Sequence, residues 1–229
     1  PAPSLYGQFD NLDDVDTVLQ GLLDIGFDDV FEVSKGAELV SAYTRKYLKT
    51  ESITKPAISS ACPVVTRLIA LRFRSLTDNI IHMLPPMEVA ADLARQKAKR
   101  EHPELLDEEI GVCFISPCPA KVTSTRDPLG IEKSEIDRVL AIKKVYTALL
   151  PHMKHDDAGD TEYKRAGRIG ISWGITGGEV GGLLTDSYIA ADGIENVIKV
   201  LEDLEDSKIS GVDFIELDSC TGGCVGGVL

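Results

Sequence analysis

Five cysteines are the residues of this 229-residue chain that are best suited to chemistry. Four of them follow short apolar segments or lie in loops: Cys62, Cys118, Cys220 and Cys224. Because the count is odd and the chain is not a small secreted one, the sequence argues against a disulfide framework. We expect free, catalytic or metal-bound thiols in a reducing cytosol instead.

Four thiolates are enough to hold a [4Fe–4S] cluster. Spacing alone leaves alternatives open, because Cys220 and Cys224 could also form part of a zinc site or simply pack together. Gly222 and Gly223 lie between them and have no side chain, so the backbone can approach a bulky inorganic core and donate amide hydrogen bonds to it. The fifth cysteine, Cys113, has apolar neighbours, and we expect a small buried side chain without a chemical role.

The four histidines do not form a second candidate set. His152 and His155 fall in a polar stretch that is typical of an exposed loop, and His82 and His102 are expected on helix surfaces. The sequence therefore does not favour a histidine-based metal site.

Helical periodicity predicts the elements that must position the cysteines. Apolar residues recur at three- and four-residue steps in Val15–Ile25, and Gly26 ends that helix. Further helices are expected over Gly36–Lys49, Val64–Arg72, Met87–Arg100, a segment ending near Leu150, and two segments after the glycine-rich run that reach Asp206.

Runs of β-branched and aromatic residues predict the strands. The strongest strand is Glu109–Pro117, and the others are expected at residues 28–34, Ala57–Ser60, Asp137–Ile142, Arg168–Trp173 and 212–219. Strands that alternate with helices favour an α/β architecture with mainly parallel pairing, in which sites gather where strands end. The four candidate cysteines follow such strands.

The net charge of −13 argues against nucleic-acid binding, which needs a basic surface. The acidic residues cluster on predicted helix surfaces, which favours solvated faces and leaves a docking face for a redox partner as the alternative. No apolar run approaches about 18 residues, so we expect no membrane span. The first residues lack a basic, apolar leader, so we expect a cytoplasmic protein.

Three motifs around the cysteines, SACP, SPCPAK and ELDSCTGGCVGG, resemble the cluster-binding signatures of [FeFe]-hydrogenases and occur in the same order. The opening APS and the run WGITGGEVGGLL agree with the same family, so the resemblance spans Ala2 to Gly227. It implies one catalytic domain over residues 1–229, cut from a longer chain. That domain would have two interleaved α/β lobes of mainly parallel sheet flanked by helices, with an iron–sulfur cluster at their interface.

The resemblance also implies individual roles. The four cysteines would hold a [4Fe–4S] cubane, and Cys224 would also bridge to a di-iron subsite that carries CO, cyanide and dithiolate ligands. Lys121 matches a lysine that hydrogen-bonds an iron cyanide, where an ammonium neutralises charge. Other positions match residues that line the pocket or pack closely beside the cluster: Ala2, Pro3, Ser4, Gly177 and Gly178.

The sequence departs from the common form of the family along its proton route. Ala61 stands where that form has a proton-passing cysteine, and alanine cannot titrate. The acidic relay that continues from the thiol falls in the helix Gly36–Lys49, where Thr44 and Tyr47 correspond to it. We therefore expect the usual route for protons to be missing.

Ser116 and Asp218 replace two methionines that pack against the di-iron subsite in the common form. A carboxylate beside an anionic cluster should have a raised pKa. Our hypothesis is that Asp218 or Ser116 handles protons in part. Glu216 has the same parity as Asp218 in the last strand, and it either shares that face or faces solvent.

The resemblance implies an enzyme that interconverts hydrogen with protons and electrons, slow or sensory in role because of Ala61. Its electrons would pass to a ferredoxin or a flanking iron–sulfur domain, and a signalling domain would follow in the longer chain. The alternative is a non-enzymatic [4Fe–4S] protein for electron transfer or redox sensing, without the di-iron subsite. Lys121 argues against that alternative, because a cubane alone does not need the ammonium. A structural zinc module is a third hypothesis.

Overall fold

The structure, a computed structural model, describes residues 1–10, 12, 14–50, 53–153 and 166–229. The α-helices are α1 (Val15–Asp24), α2 (Val33–Tyr47), α3 (Pro63–Arg72), α4 (Pro86–Glu101), α5 (Pro119–Arg126), α6 (Ile142–Leu149), α7 (Arg168–Ser172), α8 (Gly178–Leu183) and α9 (Ile194–Glu205). The strands are β1 (Ala57–Ile58), β2 (Cys113–Ser116), β3 (Arg138–Ala141), β4 (Tyr188–Asp192) and β5 (Phe214–Asp218). Short 3-10 helices include Pro3–Gln8 near the amino terminus and Gly223–Gly226 near the carboxyl terminus.

The described strands form two parallel sheets. One has the order β1-β5-β4, and the other pairs β2 with β3. The central strand β5 is buried along Phe214–Leu217, as expected of a parallel strand covered on both faces. This arrangement confirms the predicted α/β class with parallel pairing.

Each sheet has its own apolar core. In the first lobe, β1 and β5 pack against α3 and α9 through fully buried side chains that include Ile69, Leu201 and Ile215. In the second lobe, β2 packs against α1 and α6 around Leu19 and Leu149. Each such side chain contributes on the order of 1.5–3 kcal/mol of stability by leaving water. Helix α2 contacts α4, α7 and α8. Its Val33 packs in a cluster with Phe114 of β2 and its Tyr47 in a cluster with Phe214 of β5, so α2 packs against both sheets.

Most of the predicted elements are confirmed, and their observed bounds shift by a few residues. The predicted strand at Arg168–Trp173 is wrong, because those residues form α7. Its isoleucines favour a strand, but Gly170 packs directly on the backbone of Ser34 at the start of α2, and that close contact holds the segment as a helical turn. A predicted strand at residues 28–34 is also wrong, since α2 begins at Val33.

Strand β4 falls in a region that the sequence predicted to be helical. The polar loop expected beyond His152 lies largely outside the described residues, and His155 lies there with it. Among the part of the chain that is described, no helix combines the length and the hydropathy needed to cross a bilayer.

Candidate functional site

Two of the candidate cysteines occupy equivalent local structures. Cys62 follows β1 and is the residue that precedes α3, and Cys118 follows β2 and precedes α5. Each is followed by a proline at the first helical position, where the missing N–H costs nothing and the ring favours the helical φ angle. Both thiols therefore lie at positive helix ends, which favour a negatively charged group.

The other two cysteines lie in a turn that only glycine can build. Gly222 and Gly223 follow β5 with φ angles of 82° and 83°, in the left-handed region. A Cβ on Gly223 would lie 2.6 Å from the backbone nitrogen of Thr176. Asp192, at the end of β4, fixes the turn, because its Oδ2 accepts hydrogen bonds from the Gly222 N–H and the Thr176 hydroxyl, both at 2.7 Å.

The four thiols converge, although they come from three distant segments. The Ser219 Oγ lies 3.6 Å from the Cys62 Sγ and 3.9 Å from the Cys220 Sγ, so those two sulfur atoms are within about 7.5 Å of each other, the two distances combined. Burial raises the pKa of Cys220, its hydrogen bond with Ser219 lowers it, and negative charge on Cys118 and Cys62 raises it further.

Cys224 is coupled to the same two cysteines. The pKa of its thiol is about 11: Lys121 lowers it, but burial and the negative charges of Asp218, Cys62 and Cys118 raise it. Among the described residues, no group of three or more His, Cys, Asp or Glu side chains is arranged to hold a single metal ion. A tetrahedral zinc site needs its sulfur atoms roughly 3.8 Å apart, from a Zn–S distance of about 2.3 Å. The upper bound of about 7.5 Å between the Cys62 and Cys220 sulfur atoms leaves room for a larger inorganic core.

A cavity of about 40 Å³ lies beside Cys224 and is lined from both sheets, by Phe114 of β2 and by Glu216, Leu217 and Asp218 of β5. Six residues with expected roles at the site line it: Ala2, Pro3, Ser4, Lys121, Asp218 and Cys224. Ala61 lines it as well. The Ser4 hydroxyl is buried and has no hydrogen-bond partner among the described residues, so it is free to meet a polar ligand.

Lys121 projects from α5 toward the sulfur atoms. Its Nζ lies 4.0 Å from the Cys224 Sγ and 5.9 Å from the centre of the Phe114 ring. Burial lowers the pKa of Lys121, but the negative charges of Cys224, Cys118, Cys62 and Asp218 together raise it above its usual value. The ammonium is therefore retained beside a group of potential anions.

Three carboxyl groups line the same cavity: Asp218, Glu216 and Glu179. Burial raises the pKa of Asp218 to about 6, with Lys121 opposing and Asp192 adding to the shift. Burial likewise raises the pKa of Glu216 to about 7, although it accepts backbone hydrogen bonds from Val180 and Gly177 at 2.8 Å. Glu216 is 3% exposed, so it faces the cavity side rather than solvent.

The remaining predicted residues lie near the cavity but do not line it. Ser116 is fully buried, and its hydroxyl accepts a hydrogen bond from the Cys118 N–H at 3.2 Å, so it helps to position that cysteine. Gly178 packs against the carbonyl of Ser172, where a side chain would clash, and Gly177 supplies one of the N–H groups that bind Glu216.

The fifth cysteine and the described histidines lie away from the cavity lining. Cys113 is exposed at the start of β2, so the expected buried position is wrong; the strand begins at Cys113 and only its later residues enter the core. His82, His102 and His152 are exposed, and His82 follows a 3-10 turn rather than lying on a helix.

The donor set fits the iron–sulfur group that the motifs suggest. Four thiols can bind iron, an ammonium can neutralise an anionic ligand, and the free Ser4 hydroxyl can donate a hydrogen bond. Sequence reasoning missed Ser59, Glu179, Asp192 and Ser219. Two of them had a sequence signal, because Ser219 lies beside Cys220 and Glu179 lies within the run WGITGGEVGGLL; their contacts with the site come from segments distant in sequence.

Comparison with known proteins shows the family and the fold of the chain. The family model for the C-terminal domain of the iron only hydrogenase large subunit matches residues 1–184 and 179–228. An [FeFe]-hydrogenase structure that concerns oxygen inactivation through modification and degradation of the H cluster 2Fe subcluster has a TM-score of 0.71. It is 15% identical, and the match covers 99% of this chain and 77% of that chain.

Two further solved structures are similar. An apo variant of the [FeFe]-hydrogenase HydA1 from Chlamydomonas reinhardtii has a TM-score of 0.67 at 15% identity, covering 99% of this chain and 77% of that one. The structure of HydA(deltaEFG), which concerns stepwise H-cluster assembly, has a TM-score of 0.65 at 15% identity, with 99% and 74% covered. At this identity the structural likeness shows a shared fold.

Proposed function

Because the chain belongs to the family of iron only hydrogenase large subunits, matching the model of their C-terminal domain, we propose that it interconverts hydrogen with protons and electrons. The proposed cofactor is a [4Fe–4S] cubane held by Cys62, Cys118, Cys220 and Cys224, with a di-iron subsite joined through Cys224. Such a group, when bound, supplies the irons at which hydrogen is formed or split. The observation that carries the proposal is the ammonium of Lys121, which lines the cavity with Cys224 and is close enough to Cys224, Cys118 and Cys62 to feel their charge. Cys220 is joined to Cys62 through the Ser219 hydroxyl.

The chain's own residues would orient and neutralise this cofactor. Lys121 keeps its proton and lies against the Cys224 sulfur, so its charge would offset an anionic ligand. The unpartnered Ser4 hydroxyl and the neighbouring Ala2 and Pro3 would form the wall that meets the ligand end of the group. Asp192 would hold the glycine turn that presents Cys220 and Cys224.

We further propose that the reaction is slow and serves a sensory role. Ala61 lines the cavity and has no group that exchanges protons, whereas efficient turnover needs a proton carrier within hydrogen-bond reach. Asp218 or Ser116 would contribute in part to proton handling. The electrons would pass to a ferredoxin or a flanking iron–sulfur domain, with hydrogen and protons as the small-molecule partners.

The test is infrared spectroscopy combined with a hydrogen-turnover assay on protein prepared anaerobically with the complete iron cofactor. We expect CO and cyanide stretching bands and measurable hydrogen turnover, both lost in Cys224→Ser and kept in Cys113→Ser. Cys113 is the matched control because it is an exposed thiol outside the cavity. Cubane signals without CO or cyanide bands would instead favour a [4Fe–4S] electron-transfer or redox-sensing protein.

A further inference from the structure

The cavity beside Ala61 contains several groups that can hold a proton, and their contacts distinguish them. Lys121 retains its charge next to the sulfur atoms. Glu216 is engaged by two backbone N–H groups at 2.8 Å, one to each carboxylate oxygen. Glu179 differs from both, because one of its oxygens, Oε1, is buried without any hydrogen-bond partner among the described residues.

Glu179 is tied directly to the segment that carries Ala61. The Ser59 hydroxyl donates to the Glu179 Oε2 at 2.6 Å, and the same hydroxyl accepts from the Ala61 N–H at 3.2 Å. Glu179 and Ser59 are each 3% exposed, and both line the cavity. Two successive hydrogen bonds therefore join the backbone of Ala61 to the buried carboxyl group of Glu179, whose Oε1 has no hydrogen-bond partner among the described residues.

The surroundings of Glu179 favour its neutral form. Burial raises its pKa well above the usual value, the Ser59 hydrogen bond lowers it, and the negative charges of Glu216 and Asp218 raise it further. Burying an unpartnered oxygen costs much more in a charged carboxylate than in a neutral carboxyl group, unless a water or a ligand in the cavity bonds to it. Both considerations suit a group that stores a proton and gives it up when the charge in the cavity changes.

We propose that Glu179, acting with Ser59, is the main residue that gives protons to the cavity and takes them from it in this protein. The inference rests on the proposed function. In the direction of hydrogen formation, Glu179 gives its proton to the cavity, becomes a carboxylate and regains a proton from water. In the direction of hydrogen consumption, the carboxylate takes a proton from the cavity and releases it to water. Glu179 changes only its protonation, and the electrons would be exchanged separately between the proposed cofactor and an external carrier.

Glu179→Gln is the central variant, because the amide can still accept the Ser59 hydrogen bond but cannot ionise. The chain offers a matched control in Glu88, which is also 3% exposed and accepts from a serine hydroxyl, that of Ser134, at 2.7 Å. Glu88 does not line the cavity. Glu88→Gln therefore reproduces the chemical change in an equally buried carboxyl group that does not line the cavity.

The first readout is infrared difference spectroscopy at pH 7 on protein that contains only the cubane, with wild type compared against Glu179→Gln. We expect a protonated-carboxyl C=O band in wild type that shifts in D2O and is missing in the variant. A wild-type spectrum without that band would overturn the proposal independently of any activity.

The second readout is hydrogen turnover by the fully loaded protein. We expect Glu179→Gln to lose at least about a hundredfold in rate, the usual contribution of a positioned proton carrier, with unchanged cubane content and unfolding midpoint. Glu88→Gln should turn over like wild type, and Glu179→Asp should be intermediate. Wild-type turnover in Glu179→Gln would overturn this inference alone, whereas wild-type protein without turnover would overturn the proposed function as well.

Discussion

Glu216 gives a prediction in which the sign and the size both follow from the structure. It is a carboxyl group on the central strand β5, 3% exposed, that accepts N–H bonds from Gly177 and Val180. Burial opposes its ionisation and the two N–H groups favour it, with burial the larger effect, so its pKa is about 7 instead of the ordinary 4.5. We consider the change Glu216→Gln, which removes ionisation and keeps the size.

The folded state holds this proton to a higher pH than the unfolded state does. The stability of wild type therefore falls as pH rises from about 4.5 through about 7, and the loss is complete above that window. A pKa difference of about 2.5, at 1.36 kcal/mol per unit, corresponds to about 3 kcal/mol. Glutamine cannot ionise, so the variant lacks this loss. The free energy of unfolding of wild type minus that of the variant should fall by about 3 kcal/mol between pH 4.5 and pH 8.

The assay is urea unfolding of both proteins, prepared identically under anaerobic conditions and followed by the fluorescence of Trp173, the single tryptophan. Trp173 lines the cavity and donates to the Ser41 hydroxyl at 3.0 Å, so it reports on the site. If the free energy of unfolding of wild type minus that of Glu216→Gln changes by less than about 1 kcal/mol between pH 4.5 and pH 8, close to the error of the method, the reasoning is refuted. If the same difference in free energy of unfolding instead increases with pH, the two N–H groups hold Glu216 ionised in the folded state.

Two other substitutions test the turn and the cavity wall. Gly223→Ala should destabilise the protein by at least about 2 kcal/mol in urea unfolding, because a Cβ at this positive φ would clash with the backbone nitrogen of Thr176. The control is Gly7→Ala, which should destabilise the protein by less than about 1 kcal/mol because no atom lies near the added Cβ. Equal costs would show that the turn relaxes. Ala61→Cys should raise hydrogen turnover by about tenfold by adding a titratable thiol to the cavity wall. An unchanged rate would show that proton supply at position 61 does not limit turnover.

The local structures around Cys62 and Cys118 were predictable, because a strand, a cysteine, a proline and a helix follow one another in the sequence. The same holds for β5, whose apolar run ends just before Cys220. In each case neighbouring residues determine the outcome through strand propensity, the preference of proline for a first helical position, and the freedom of glycine. Local sequence is therefore sufficient to place these cysteines at strand ends.

Other features depend on contacts between segments distant in sequence. The sequence pattern either did not predict these features or predicted them wrongly. Residues 168–172 look like a strand but form α7, because Gly170 packs on the backbone near Ser34. The hydrogen bond between Ser59 and Glu179 joins positions 120 residues apart, so no local pattern predicts that the two side chains meet. Cys113 was expected to be buried from its apolar neighbours, but its place at the first residue of β2 leaves it exposed.

The most direct test of the account is iron analysis and electron paramagnetic resonance of five single Cys→Ser variants after anaerobic reconstitution. The account predicts that the variants at Cys62, Cys118, Cys220 and Cys224 each lose or alter the reduced-cubane signal, because their thiols share one core. Cys113→Ser should keep the wild-type signal and iron content. A wild-type cubane signal in two or more of the first four variants, or its loss in Cys113→Ser, would contradict the shared four-thiol site.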